Sequence, residues 1–386
     1  MLFRQIIAFF IAWRVLLFIP LVAGYLFISY PKDASYTNIW KFIQPYAPVD
    51  NFLLFPWANF DGVHYLSIAA NGYAQDGSNA RFFPLFPMIT GGLSQLIGGK
   101  ETFGAVQFFS GLLLANLFFL LALIVFYKLI RLDYPHFVAR TSILFLLVFP
   151  TSFFFASIYS ESLFLLLSLL TFYFARKRQW LLTGIFGALL CATRIIGIAI
   201  LPALIYEFWR ADKKNNSRLI KIFSLGLIPL GLISYMFFNL FRWGNAFHFF
   251  LAQGQIANER SVTSIVLPVQ TIIRYGKILL TIPATQFSFW MALFELLTFV
   301  ITAILFFAAW RKKIRGSYLI YAIIAFLIPT FSGTFSALPR YVLVLFPLFI
   351  TLALVKSKIV KIIYATVSVI ILFVLLMFFS RGYFVA

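Results

Sequence analysis

The chain has 386 residues, 62% of them hydrophobic and 20% aromatic, with only 11% charged and a mean hydropathy of +0.97. A soluble core of this length needs far more charged residues to cover its surface, so the composition is that of a protein crossing a membrane many times. The net charge of +20 falls in short clusters between apolar stretches, which argues against a nucleic-acid-binding face, and the lone Cys191 excludes a disulfide framework or a cysteine metal site.

Taken in chain order, residues 5–28 form a first span, since about 20 apolar residues cross a bilayer core. Arg14 interrupts it and no small-residue cleavage site follows, so it reads as a retained span rather than a signal peptide. Further spans are predicted near 103–128, 141–158, 161–175, 219–241, 287–310, 318–329, 341–355 and 362–379, with two short helices in 179–210 broken around Thr193–Gly197. The basic breaks at 131–140, 176–178, 211–221, 311–315 and 356–361 alternate with basic-poor loops, and the positive-inside rule makes them cytoplasmic. The expected fold is an all-α polytopic bundle of about 11 transmembrane helices, one domain over 1–386, with a cytoplasmic N-terminus. Some of the basic charge would also meet anionic lipid head groups.

The largest piece outside the bilayer is then the first extracytoplasmic loop, 29–102. Asp33, Asp50, Asp61, Asp76 and Glu101 lie in it, five of the 11 acidic residues of the chain. Its second half, "RFFPLFPMITGGLSQLIGG" (81–99), is apolar but carries two prolines and four glycines. It reads as an interfacial or re-entrant helix, because helix breakers at membrane depth need protein or water around them.

The stretch "WANFDGVHYLSIAANGY" (57–73) is the chemically richest part of that loop. It is helix-compatible from Gly62 to Ala70, with Asn71-Gly72 as the stop and Asp61 at the N-cap. A lone aspartate before a helix is commonly only a cap. Here, however, His64 follows three residues on, on the same side of the helix, and Trp57, Phe60, Tyr65 and Tyr73 supply aromatic walls suited to a sugar or a lipid. His64 has the simpler reading of an interfacial histidine. The other histidines, His136 and His248, lie in different loops, so no metal site is expected.

Four other positions stand out. Arg194 breaks an apolar stretch, and an intramembrane arginine is either functional or snorkelling. Glu161 sits at a turn between two spans, where it would cap the next helix. Arg340, at the end of a polar outer loop and followed by Tyr341, has the fork geometry for a phosphate at head-group depth, or for anchoring its helix. Glu295 lies inside a predicted span with no partner evident in the sequence.

The segment "FDGVHYLSIAANGYAQDGSNARFFPLFP" resembles the first-loop signature of the glycosylphosphatidylinositol mannosyltransferase II (PIG-V) family. Asp61, Tyr65, Ile68, Ala69, Gly72, Tyr73, Asp76, Phe82, Phe83, Pro84 and Pro87 fall on the pattern. "FPTSFFFASIYSESLF", "ATRIIG" and "LPRY" resemble later motifs in the same order. Two positions depart from it: Phe60 stands where Trp is common, and Ile195-Ile196 replace polar residues. The chain is compact for a eukaryotic member and is similar to a prokaryotic relative, in a cell membrane.

The resemblance implies a GT-C glycosyltransferase with its active site on the extracytoplasmic face. It would move a sugar, with mannose expected, from a polyprenyl-phosphate donor to a lipid or glycan acceptor, with inversion and without a cofactor or metal. It implies Asp61 as general base, and His64, Tyr65, Asp76, Arg81, Glu161, Arg194, Arg340 and Tyr341 are the substrate-binding candidates beside it. Arg340, Arg81 and Arg194, in that order, are the candidates to meet the leaving phosphate. A transporter or flippase of lipid-linked sugars is the competing class, since it too would have many spans, broken helices and an intramembrane arginine. Such proteins usually carry internal repeats, and none is evident here.

Overall fold

The computed structural model describes residues 2–31, 51–99, 104–210, 218–254, 261 and 264–385. Asp33, Asp50 and Glu101 of the first loop, and residues 211–217 of one basic break, lie outside the described residues. Within them the chain is helical, and extended pairing is limited to an isolated bridge between Val266 and Ser332.

Five helical segments are long and apolar enough to cross a membrane: Phe3–Phe27, Ala105–Ile130, Leu219–Trp243, Phe287–Arg311 and Lys358–Ser380. They are the helices of an integral membrane protein. Phe109, Leu113, Leu117 and Leu121 recur at helical spacing along Ala105–Ile130 and are all exposed, the pattern of a face turned to lipid. Several other predicted spans take the form of shorter apolar helices, among them His136–Leu147, Trp180–Cys191 and Gly316–Thr330. The two short helices expected within 179–210 are present as Trp180–Cys191 and Ile200–Arg210, with a 3-10 turn at Ile195–Ala199 between them.

Prolines set several of the boundaries. A proline lacks the N–H that would bond to the carbonyl four residues back, and its ring clashes with that carbonyl. Pro20 accounts for the break between Leu2–Leu16 and Phe18–Phe27. The span expected over 141–158 ends as a helix at Leu147, because Pro150 bars its continuation and the chain goes on as a 3-10 turn, Ser152–Phe155. The expected 341–355 span is likewise two short helices, Leu338–Leu343 and Phe346–Ala353, separated ahead of Pro347.

Two compact units share the chain. Among the described residues, the first comprises those within 2–75, 82–170 and 356–385, and the second those within 76–81 and 171–355. In the first, the helix Asp61–Asn71 packs against Leu85–Leu96 through a glycine. A Cβ at Gly91 would stand 2.6 Å from the carbonyl oxygen of Ala69, so only glycine permits this approach. Small residues let helices close in a solvent where apolar burial alone gives little drive. The same unit contains a phenylalanine core in which Phe119 stacks on Phe155 at 4.3 Å and Trp13 meets Phe119 at 5.0 Å. In the second unit, Phe172, Tyr318, Tyr321 and Phe346 form a comparable aromatic knot.

Candidate active site

The chain reaches Asp61 through a 3-10 turn at Phe55–Ala58 and an extended Asn59. Phe60 then adopts φ 57° and ψ −114°, and the helix Asp61–Asn71 begins immediately. The N–H of Gly62 donates to the carbonyl of Asn59 at 3.3 Å, closing a tight turn with Phe60 at its second position. That position in a turn of the II′ kind belongs to glycine, and a bulky residue there costs about 1–3 kcal/mol unless its surroundings hold it.

Here they do. The Phe60 ring lies 5.6 Å from that of Phe379 and 5.8 Å from that of Phe384. The Asn59 side-chain amide donates to the carbonyl of Phe379 at 3.0 Å. From the segment 157–160, the N–H of Ile158 donates to the carbonyl of Trp57 at 2.8 Å. The Tyr159 hydroxyl donates to the carbonyl of Asn59 at 2.7 Å and accepts from the N–H of Asp61 at 3.2 Å.

Asp61 is therefore the first residue of the helix and Phe60 the cap, a correction of one position to the sequence expectation. The carboxylate still belongs to the first turn, where the unpaired N–H groups and the helix dipole favour negative charge. His64, one turn on, stacks on Phe82 with centroids 4.8 Å apart. Tyr65 is buried: its hydroxyl pairs with Ser160 at 2.8 Å and its ring meets Phe82 and Phe86 edge-on. The Tyr73 hydroxyl donates to the carbonyl of Phe82 at 2.6 Å. Trp57, expected as an aromatic wall, is fully enclosed, with the Arg14 guanidinium 3.9 Å from its ring. Arg14 thus has a cation–π partner within the bundle. Glu161 opens the helix Glu161–Arg176 and is only 1% exposed.

The second unit holds the other candidates. Asp76 is exposed and accepts from both the N–H and the hydroxyl of Ser78, at 3.0 and 2.9 Å. Those two bonds, the backbone one first, hold its carboxyl below the ordinary carboxylate range, and His248 adds a smaller pull. Arg81 donates to the carbonyl of Ser78 at 3.3 Å, and Tyr235 anchors the same turn through the carbonyl of Ala80 at 2.5 Å. Arg194 stands in extended backbone just before the 3-10 turn, its guanidinium 4.9 Å from the centre of the Tyr341 ring. The fold thereby joins two sequence candidates 147 positions apart. Arg340 and Tyr341 belong to the helix Leu338–Leu343, entered through a left-handed Ala337 at φ 63°.

Glu295, without a partner on sequence, has one in the structure. Tyr275 donates to its carboxylate at 2.6 Å, and the same hydroxyl lies 3.2 Å from Thr334 and accepts from the N–H of Phe335 at 3.0 Å. Burial, and then the Glu295 carboxylate, push the Tyr275 phenol above its ordinary value, so it remains a donor. Together with Arg274, which donates to the carbonyl of Gly333 at 3.1 Å, it fixes the loop leading to Arg340. The signal in the sequence was the isolated acid within an apolar span. Its partner, in the separate helix Pro268–Thr281, could not be read from spacing. Among the described residues, no three His, Cys, Asp or Glu side chains converge in a way that would hold a metal ion.

Comparison with known proteins adds three findings. No curated protein sequence matches the chain. Among solved structures, it is similar to the oligosaccharyltransferase of Archaeoglobus fulgidus tethered to an acceptor peptide, at 14% identity and a TM-score of 0.42, covering 85% of this chain and 51% of that one. The chain thus spans about half the length of that protein. Residues 3–255 match the family model described as mannosyltransferase (PIG-V).

Proposed function

The chain belongs to the mannosyltransferase (PIG-V) family, and from that premise we propose that it transfers mannose from a polyprenyl-phosphate donor to a lipid or glycan acceptor, with Asp61 as general base. The family makes it a membrane glycosyltransferase, and the transporter alternative left open by the sequence gives way. The observation that carries the assignment is the Asp61 turn, a carboxylate at a helix start set by a non-glycine residue in a left-handed conformation and tied by several hydrogen bonds. Strain of this kind clusters at functional sites.

The reaction needs three things from the chain. The Asp61 carboxylate takes the proton of the acceptor hydroxyl as its oxygen bonds to the anomeric carbon of mannose. The bond from that carbon to the phosphate oxygen breaks on the opposite face of the ring, releasing polyprenyl phosphate. A guanidinium then meets the charge growing on that phosphate, and Arg340 is proposed for this, ahead of Arg81 and Arg194. A sugar is suited by aromatic and histidine side chains, which is the role proposed for His64 and Tyr341 directly, with Asp76 for sugar hydroxyls. The buried Tyr65 and the buried Glu161 are proposed as supports of these substrate-binding residues. The GT-C type, the prokaryotic cell membrane and an extracytoplasmic site are parts of the same proposal.

Sealed vesicles of known orientation test it. Labelled polyprenyl-phosphate mannose supplied on the extracytoplasmic face should label an acceptor, while the same donor on the cytoplasmic face and a nucleotide-linked mannose should not. Labelling from the nucleotide donor alone would overturn the donor assignment.

A further inference from the structure

We infer that Tyr159 is the positioning residue of the active site, a clamp that keeps the Asp61 carboxylate in its working place by holding the turn in front of it in a left-handed conformation. This rests on the reading of Asp61 as the base. The residues that define the clamp are 98 positions apart in sequence and meet through one phenol oxygen. That oxygen donates to the carbonyl of Asn59 at 2.7 Å and accepts from the N–H of Asp61 at 3.2 Å, so it bonds to the residues on either side of Phe60. It spans the very residue whose backbone is strained, at φ 57°.

The geometry is hard to explain as packing alone. Tyr159 is 1% exposed, and its ring already fills its place against Phe154 and Tyr65, so a phenylalanine would satisfy the core equally well. What the hydroxyl adds is a bond at each end of the turn. A buried hydroxyl without partners would be costly, and here both its donor and its acceptor capacity are spent on the same turn. Around it the approach is close. A Cβ at Gly62 would lie 3.3 Å from the Ala58 side chain and 3.4 Å from the carbonyl oxygen of Ile158, so the helix start sits directly on the segment that carries Tyr159. The N–H of Ile158 fixes that segment to Trp57 at 2.8 Å. Segment 157–160 is thus a platform for residues 57–62, and Tyr159 is its point of attachment to the catalytic aspartate.

The physical consequence is specific. Without the hydroxyl, the two bonds that flank Phe60 are lost, and the strained turn is left to the Phe379 and Phe384 rings and the Asn59 bonds. Rotation of Phe60 toward negative φ, which swings the first residue of the helix, then becomes easier. A displacement of about 1 Å at a reacting group is enough to cost on the order of a hundredfold in rate. Donor affinity should be untouched, since the carboxylate serves the acceptor.

The test is a double-substitution cycle. Tyr159→Phe should lower kcat by roughly tenfold to a hundredfold, leave KM for polyprenyl-phosphate mannose unchanged, and speed amide hydrogen exchange at Asp61. Phe60→Gly removes the strain that drives the relaxation, because glycine accepts positive φ freely. In the Phe60→Gly background the same Tyr159→Phe change should therefore cost only a few-fold, on the order expected once the left-handed turn is intrinsically allowed. A role in stability alone predicts equal losses in both backgrounds, following the melting temperature, and that result would overturn the proposal. So would turnover within about twofold of wild type for Tyr159→Phe, a change too small for a lost positioning contact. If that happened while Asp61→Asn was inactive, the base would stand and only the clamp would fall. Normal transfer by Asp61→Asn would remove the base itself, whatever Tyr159→Phe showed.

Discussion

Asp61→Asn is expected to leave a folded, inserted protein whose mannosyl transfer is reduced about a hundredfold or more, the contribution of a positioned general base. The substitution keeps size and shape at the first helical residue. Phe60, not Asp61, occupies the cap, so no side-chain cap is at stake. Removing the charge gives up the favourable meeting of a carboxylate with the helix dipole, about 0.3–1 kcal/mol. The N–H that bonds to Tyr159 is backbone and survives. A large kinetic loss with a small loss in stability therefore separates chemistry from architecture. Donor binding should persist, because the carboxylate acts on the acceptor hydroxyl. Asp76→Asn is the companion measurement. Asp76 is exposed and engaged by Ser78, so its replacement should disturb the 76–81 turn and reduce transfer much less. Purified variants assayed for kcat and donor binding side by side decide the matter. Equal turnover for wild type and Asp61→Asn would remove the base.

Arg340→Ala should depress kcat/KM for the lipid-linked donor on the order of a hundredfold, comparable to removing one preorganised group from a developing oxyanion. Arg340→Lys should recover part of that, since the charge remains while the planar fork that fits a phosphate does not. Its helix is too short to be placed by its own stability. It is entered through the left-handed Ala337 and preceded by a loop that Tyr275 and Arg274 hold through Thr334, Phe335 and Gly333. This supporting frame makes a precise guanidinium position possible. Wild-type kinetics in both variants would reduce Arg340 to a helix anchor. The measurement is donor-dependence of initial rates at fixed acceptor.

Much of the fold was legible because a bilayer imposes long apolar runs, and Phe3–Phe27, Ala105–Ile130, Phe287–Arg311 and Lys358–Ser380 lie close to where hydropathy put them. The interruption around Thr193–Gly197 was legible too, and the structure shows its use in bringing Arg194 onto the Tyr341 ring. Helix ends were less so. Pro150 and Pro347 sit within apolar stretches that average as spans, although each proline forbids the bond that a continuous helix would need. In the site, the Asp61 stretch stood out because polar and aromatic residues followed an apolar run. What did not stand out was how it is held. Nothing in "NFDG" marks Phe60 as left-handed, since that conformation is imposed from outside by Phe379, Phe384 and Tyr159. Glu295 was visible as an anomaly, but its pairing with Tyr275 depends on tertiary placement of a separate helix. Local chemistry is written locally, whereas its supports are distributed along the chain.

The stereochemistry of transfer reports whether Asp61 acts as the base of a direct displacement. A base that deprotonates the acceptor makes the reaction a single displacement, with the new bond forming opposite the departing phosphate, by the same logic that separates inverting from retaining glycoside hydrolases. The expected mannosyl product has the anomeric configuration opposite to that of the polyprenyl-phosphate donor, read from one-bond carbon–proton couplings of the isolated product. A product that keeps the donor's configuration would contradict it, because Asp61 would then not be acting as the base of a direct transfer.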